Sequence, residues 1–403
     1  MKKSVGFLFG AFLFSAIPVF ALETGALIEG SVRAWSNDWG KVEKAKDAEL
    51  ETKETFTLNA KQSLNESGSR YLAVEGNVQY KYTNDALGNG DDKIFADVTL
   101  FKYTAAYDYN GAKNVINLGR FFVSDFTGLI FAQQNDGVMF QYFANTVQAS
   151  VYGGWTGLLN AQTTTILPAR SSDFAFDHDA AYDFQSSYFV GSISLSLPYV
   201  FFNQTASAEC ITLFGTNGIN GDNSETWRVY GTFALNGSLA SNLFYTAHTT
   251  FATEAEQDMM NLSAVYVDFY PNYKNMDLGI NFVYATPTKD GKSAFKGITS
   301  QTATFAYDEP QYSAMMKMGA SASIKPVDTL LTRVGGDVVF AYLDEEKRAT
   351  PSGDLGYHGF QIYANAVYQI FTDMKATLFF SDFIGNKDGY NKILGAVSLT
   401  VAL

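Results

Sequence analysis

Apolar and polar residues alternate along most of this chain, and the stretch from Gln361 to Leu403 shows the pattern most plainly. Ile362, Ala364, Ala366 and Tyr368 make one apolar row, Ala376, Leu378 and Phe380 the next, and Ile393, Gly395, Val397, Leu399, Val401 and Leu403 the last. Gln361, Asn365, Gln369, Lys375, Thr377, Lys392, Ser398 and Thr400 stand between them. Successive side chains of a strand point to opposite faces, so this period of two predicts strands with one apolar and one polar face. Strands of about ten residues or more, the last ending flush with Leu403, point to a membrane-spanning barrel instead of a sandwich.

Taken from the start, the same alternation predicts eighteen strands, with sixteen as the alternative count because short segments are weakly marked. The first four cover about Ala26–Trp35, Lys53–Ser63, Tyr71–Tyr82 and Ile94–Tyr109, and the ninth, around Cys210–Gly215, is the poorest. The apolar phase of the fourth slips between Leu100 and Phe101, where a β-bulge is expected. Asn110-Gly111 and Asn236-Gly237 predict two-residue hairpin turns, because both residues of such a pair take positive φ readily. Long links such as Val123–Asp136, Thr156–Gln185 and Thr286–Gln311 alternate with tight ones. Outer-membrane barrels have short periplasmic turns and long outer loops, which puts both termini on the periplasmic side. Hydrocarbon offers no partner to an open sheet edge, so the sheet must close. A ring of this size is too wide for side chains to fill and leaves a water-filled lumen. The fold class is all-β, a transmembrane antiparallel barrel.

Composition changes this picture little. Residues 1–21 read as a secretory leader (Lys2 and Lys3, then an apolar run to Phe20, with Val19 and Ala21 before the cut), leaving 22–403 as the barrel. No apolar run of helix-spanning length follows it. The formal net charge of −13, more negative still without Lys2 and Lys3, argues against nucleic acid as a partner. The one cysteine, Cys210, cannot form an internal disulfide, and His178, His248 and His358 show no metal-ligand spacing. Tyr, at 24 residues, suits the membrane–water boundary.

Sorting strand charges by face is more informative. The polar side carries Arg33, Lys53, Lys61, Lys81, Arg120, Arg228, Lys317, Arg333, Lys375 and Lys392, against Glu29, Glu75, Asp277 and Asp337. The excess acid is left to the loops, for example Glu49, Glu51, Asp91 and Glu254. Charged patches in a pore set ion preference, so a basic wall predicts a lumen that favours anionic solutes. Pairing of these bases with loop acids or lipid headgroups is the blander alternative.

The third loop, 123–136, is apolar in its middle at Phe126, Leu129, Ile130 and Phe131. The surrounding INLGRFFVSDFTGLIFAQQNDGVMFQYF resembles the classical porins and the alginate-export type of outer-membrane channel. There a Gly-Arg strand end precedes a loop folded into the barrel, and an Asp-Gly pair opens the next strand; Gly119, Arg120, Asp125, Asp136 and Gly137 match. The resemblance implies that Asp125 and Asp136 face Arg120 and other wall bases across the narrowest point. Arg120 is in phase with Ile116 and Leu118, which face lipid, so a bulge at Gly119 is needed to turn it inward. The terminal Leu403 departs from the aromatic residue that commonly ends porins.

The implied partners are outer-membrane lipid, the outer-membrane assembly machinery and small hydrophilic solutes. A homotrimer is common among porins, although no stripe marks an interface. No cofactor is called for. Asp173, Asp177, Asp179 and Asp183 lack a fixed metal-loop spacing and read as a solvated loop. The competing functions are a fatty-acid-type transporter of hydrophobic solutes, a surface adhesin or structural barrel, and a barrel enzyme. The first lacks room for an N-terminal plug, and the last lacks a nucleophile–base pair.

Overall fold

The computed structural model describes residues 21–37, 48–85, 89–164, 166, 180–215, 227–254, 258–271, 275–299, 312–387 and 391–403. The leader, apart from Ala21, and three of the four loop aspartates (Asp173, Asp177 and Asp179) lie outside these residues. Eighteen strands are present: β1 Ala21–Asn37, β2 Ala48–Ser63, β3 Arg70–Asp85, β4 Gly90–Tyr109, β5 Ala112–Ser124 and β6 Ala132–Phe143. They continue as β7 Gln148–Trp155, β8 Tyr188–Phe201, β9 Gln204–Gly215, β10 Trp227–Ala240, β11 Leu243–Glu254 and β12 Met260–Phe269. The last six are β13 Asp277–Ala285, β14 Met315–Val327, β15 Leu330–Leu343, β16 Asp354–Phe371, β17 Met374–Gly385 and β18 Lys392–Ala402. Each pairs antiparallel with its neighbours in sequence, and β1 pairs with both β2 and β18. The ring is closed, and the closing seam runs from Leu27 opposite Ala402 to Asn37 opposite Lys392.

One face of this ring is an apolar exterior. Ile28, Phe56, Val78, Ile193, Phe233 and Leu378 are exposed on it. Cys210 is exposed there too, opposite Ile193. At the end of β8, Tyr199, Val200, Phe201 and Phe202 stand exposed around a tight turn, as aromatic residues do where a barrel meets headgroups.

The phase slip in β4 is a bulge. Glu75 of β3 faces Leu100 and Gly76 faces Val98, so Thr99 is the extra residue, and its hydroxyl donates to Glu75 Oε1 at 2.6 Å. Asn110 and Gly111 turn with φ of 51° and 78°. The second Asn-Gly pair corrects the expectation: Asn236 and Gly237 lie inside β10, paired with Thr246 and Tyr245. Gly237 is required there for close approach, since a Cβ would sit 2.6 Å from the Asn203 carbonyl oxygen of the neighbouring turn.

The two pairs should therefore respond differently to asparagine, which tolerates positive φ. Gly111→Asn is expected to leave the barrel's heat-resistant mobility on denaturing gels unchanged, while Gly237→Asn lowers its melting temperature. Equal melting of the two variants would contradict this assignment.

Candidate pore constriction

The polar face of an alternating strand should line water, yet the upper inner wall from β8 to β15 is apolar and dry. Val190, Leu213, Met260, Leu262, Val283 and Val339 are each at most 1% exposed. They share one cluster with Ile130 and Phe131 of the β5–β6 link and with Phe295 and Ile298 of the β13–β14 link. Two outer loops are therefore folded inside the ring and packed against this side of it. The sequence carried a signal for this in β12, where Met260, Leu262 and Ala264 alternate with Val265 and Val267 on the other face. A strand apolar on both faces is covered on both.

The first inward loop, Asp125–Phe131, is organised by its own aspartate. The Asp125 carboxylate accepts the amides of Thr127, Ile130 and Phe131 at 2.8, 3.1 and 2.9 Å, and the Thr127 hydroxyl. The Phe126 amide donates to Glu209 Oε2 on the inner face of β9 at 2.9 Å, which fixes the loop to that wall. The second loop lies on the first: the Ile298 and Thr299 amides both donate to the Ile130 carbonyl, at 2.7 and 3.0 Å. Arg228 holds it from behind, donating to the Gly297 carbonyl at 3.2 Å and pairing with Glu254 at 3.1 Å. Lys296 also pairs with Glu254, at 3.4 Å.

The base of the first loop changes the wall itself. The β4–β5 ladder stops at Phe101 opposite Arg120, although both strands run on. Gly119, at φ 108°, makes this departure, and a Cβ there would lie 2.0 Å from the Phe101 carbonyl oxygen. Leu118 and Val138 are paired and exposed on the outer face, and four pairs further on Phe122 faces Gln134 on the same side of the ladder. Yet Phe122 and Gln134 line a cavity together with Asn77 and Gln79, which are inner-face residues of β3. The top of the β5–β6 hairpin has thus swung into the lumen.

A ribbon continuing β7 and β8 occupies the place it leaves, with backbone bonds Thr156 to Tyr188, Gln185 to Leu159 and Ala161 to Asp183. It caps the bare edge of β4: the Ala96 amide donates to the Ala181 carbonyl at 3.1 Å, and Asn160 Nδ2 donates to the Ala96 carbonyl at 3.1 Å. Arg120 closes the remaining gap. Its guanidinium donates to Val98 O at 3.0 Å and Leu158 O at 2.7 Å, and makes a two-pronged pair with Asp136 at 2.8 and 2.7 Å. Asp97 lies 3.5 Å away.

This departs from the arrangement that the resemblance implied. Asp136 meets Arg120 as its cross-strand neighbour within the wall, and Asp125 is spent on folding its own loop. The glycine irregularity is present at Gly119, but it delivers Arg120 to a seam between wall segments.

The other residues singled out sit on the inner face. Lys53, Lys81 and Lys93 are direct neighbours across β2, β3 and β4, one tier below Arg33. Lys61 and Lys102 form a lower tier on the same strands and flank the Tyr71 ring, at 5.4 and 5.9 Å from its centroid. Glu75 lies between the tiers, Asp277 and Arg333 are on β13 and β15 across the ring, and Lys375 is on β17. Lys317 and Asp337 are buried two pairs apart on β14 and β15, with Lys317 Nζ 3.3 Å from the Tyr312 hydroxyl. Burial pushes the Tyr312 phenol up to about 12, so it stays neutral and accepts from the Lys317 ammonium.

Four acids read as loop residues prove to be strand residues, Glu49 and Glu51 of β2, Asp91 of β4 and Glu254 of β11, and Glu51 pairs with Lys81 at 2.8 Å. Asp97 and Glu209 add inner-face acid that the sequence reading left uncounted, and Glu254 adds acid that it had assigned to a loop, so the basic excess is smaller than expected. The Asp183 carboxylate accepts the Phe184 amide at 2.8 Å, and among the described residues no three His, Cys, Asp or Glu side chains are placed to share a metal.

No family model matches the chain, and no curated protein matches it in sequence. Its shape does have relatives among solved structures. OccK7 (OpdD) of Pseudomonas aeruginosa superposes with a TM-score of 0.60 at 10% identity, over 95% of this chain and 98% of that one. OccK9 (OpdG) of the same organism gives 0.60 at 8% identity over 94% and 98%, and OccAB4 of Acinetobacter baumannii gives 0.59 at 8% over 94% and 98%. The fold is that of an outer-membrane porin.

In this porin-like barrel Arg120 is a structural lock, and removing it leaves Asp136 and the Val98 carbonyl without their donor, while Leu158 O keeps the Tyr182 hydroxyl. Arg120→Met should destabilise the folded barrel by about 3–5 kcal/mol, measured as the urea midpoint in detergent micelles. The double variant Arg120→Met/Asp136→Leu should recover part of that loss. A single variant with an unshifted midpoint would show that the ribbon alone seals the seam.

Proposed function

We propose that this chain is a passive outer-membrane channel for small hydrophilic solutes, with a modest preference for anions. The observation that carries the reading is the division of the interior. One side of the ring is filled by the two loops and is dry, while the other side, from β16 through β18 and β1 to β4, keeps charged side chains on its inner face. A passage bounded by loops on one side and charged wall on the other passes solutes by size and charge, without a moving part. Both termini and the tight turns lie at the periplasmic end, and the outward loops face the exterior.

The anion preference rests on the two lysine tiers of β2–β4. Glu51 offsets Lys81 within the upper tier, and Glu23, 3.2 Å from Lys61, offsets the lower, so the selectivity is weaker than the sequence count implies. In a planar bilayer under a salt gradient, the reversal potential should show anions favoured. Replacing Lys53, Lys81 and Lys93 with Gln should move it toward cations. A wild-type channel that prefers cations overturns this part of the reading.

The loop assignment has its own test. Asp125→Ala removes the acceptor that holds the first loop's turn together, and single-channel conductance should rise. Unchanged conductance would mean that Asp125–Phe131 does not narrow the passage.

A further inference from the structure

The swing of the β5–β6 hairpin creates a space that the channel reading leaves unused. Between the back of the hairpin and the inner wall of β3–β4 lies a cavity of about 270 Å³. At ~30 Å³ per water it has room for about nine waters, the space of one sugar ring with its nearest hydration. The chemistry of its walls is specific. Asn77 and Gln79 on the wall side, and Gln133 and Gln134 on the hairpin, bring four carboxamides to one small space. Thr99 and Thr163 add hydroxyls. Each carboxamide offers both a donor and an acceptor, as does each hydroxyl of a sugar. Phe122 also lines the cavity and is 59% exposed, an apolar ring left facing a polar space.

Two carboxylates share one guanidinium at the cavity. Arg120 is bound to Asp136 and lies 3.5 Å from Asp97, and the other Asp97 oxygen accepts the Thr163 hydroxyl at 2.6 Å. The excess negative charge turns an anion away, and Asp97 Oδ1, buried without a hydrogen bond, is a further acceptor for a hydroxyl. Small-ligand sites combine an apolar surface with a few convergent polar groups, and here those groups suit hydroxyls.

We infer that this cavity is a binding site for a neutral sugar or polyol, beside the constriction and reached from the lumen. Phe122 supplies a platform for the ring's C–H face, and Asn77, Gln79 and Gln134 take its hydroxyls. The inference rests on the channel reading for the solute's route to the site, but binding itself requires no conduction.

Saturation-transfer NMR on the full chain in detergent micelles, with methyl α-glucoside as probe, tests the site directly. Transfer to the sugar is expected, and Phe122→Ala and Gln79→Ala should each weaken it by about tenfold, ~1.4 kcal/mol. Lys375→Ala, at the far end of the lumen, should leave it unchanged. Heat-modifiable gel mobility confirms that each variant is folded, and Phe122 is exposed enough for its loss to be tolerated. Absent transfer in the wild type overturns the proposal, as does transfer that survives both variants. Binding of arginine or glutamate in place of the glucoside overturns the ligand class. Bilayer conductance is measured on the same preparation: a conducting barrel without sugar binding refutes the site alone, and sugar binding without conductance refutes the channel.

Discussion

Every backbone amide and carbonyl within the hydrocarbon must find a partner inside the protein, and the rest of this structure follows from that requirement. Each stranded group costs several kcal/mol, so the sheet closes on itself between β1 and β18. The same requirement governs the place where the ring is interrupted. The inner hairpin leaves the wall at Gly119, and the edge of β4 beyond it is not abandoned. Ala96 is satisfied at both its amide and its carbonyl by the β7–β8 ribbon, and Val98 by the Arg120 guanidinium.

This gives the buried arginine a reason to exist. Five donors on a rigid fork can serve two carbonyls and a carboxylate at once, where lysine offers a single point. Burying a charge is costly unless it is paired and bonded, and Arg120 is both. Loop and wall are therefore one construction. A loop can fold into the lumen only if the wall it abandons is rebuilt from another segment, and here the longest outer link, between β7 and β8, supplies that segment.

The barrel was legible in the sequence because lipid enforces a strict period of two. The phase of every strand from β16 to β18 is as read, and so are the strand number, the bulge in β4 and the turn at Asn110-Gly111. What failed to show was whatever depends on contacts between distant segments. Asn236-Gly237 has the composition of a turn, and only the approach of the Asn203 carbonyl explains a glycine in mid-strand. Glu51 sits in a charged run that reads as loop until the pairing of β2 with β1 and β3 claims it. Arg120 and Asp136 do pair, but within the wall and not across the narrowest point, because alternation cannot tell a lumen from a seam in the wall. The inward β13–β14 loop was missed, although the two-faced apolar character of β12 implied a cover for it.

These misreadings share one cause, and it bears on how the interior works. Alternation assigns each side chain to lipid or to water, whereas this lumen contains a third environment, the dry contact between inward loops and wall. Once that region is set apart, the inner surface divides by chemistry. The β8–β15 side spends its residues on holding Ile130, Phe131, Phe295 and Ile298. The β2–β4 side keeps lysine tiers above and below, with carboxamides and threonines between them at the level of the swung hairpin. Down this side the inner face runs from one lysine tier, through carboxamides, threonines and the Glu75 and Asp97 carboxylates, to a second lysine tier. On the proposed solute route, such an order would separate the two tasks of a narrow pore: the tiers would act on net charge at a distance, and the middle level on shape and hydrogen-bonding pattern at contact.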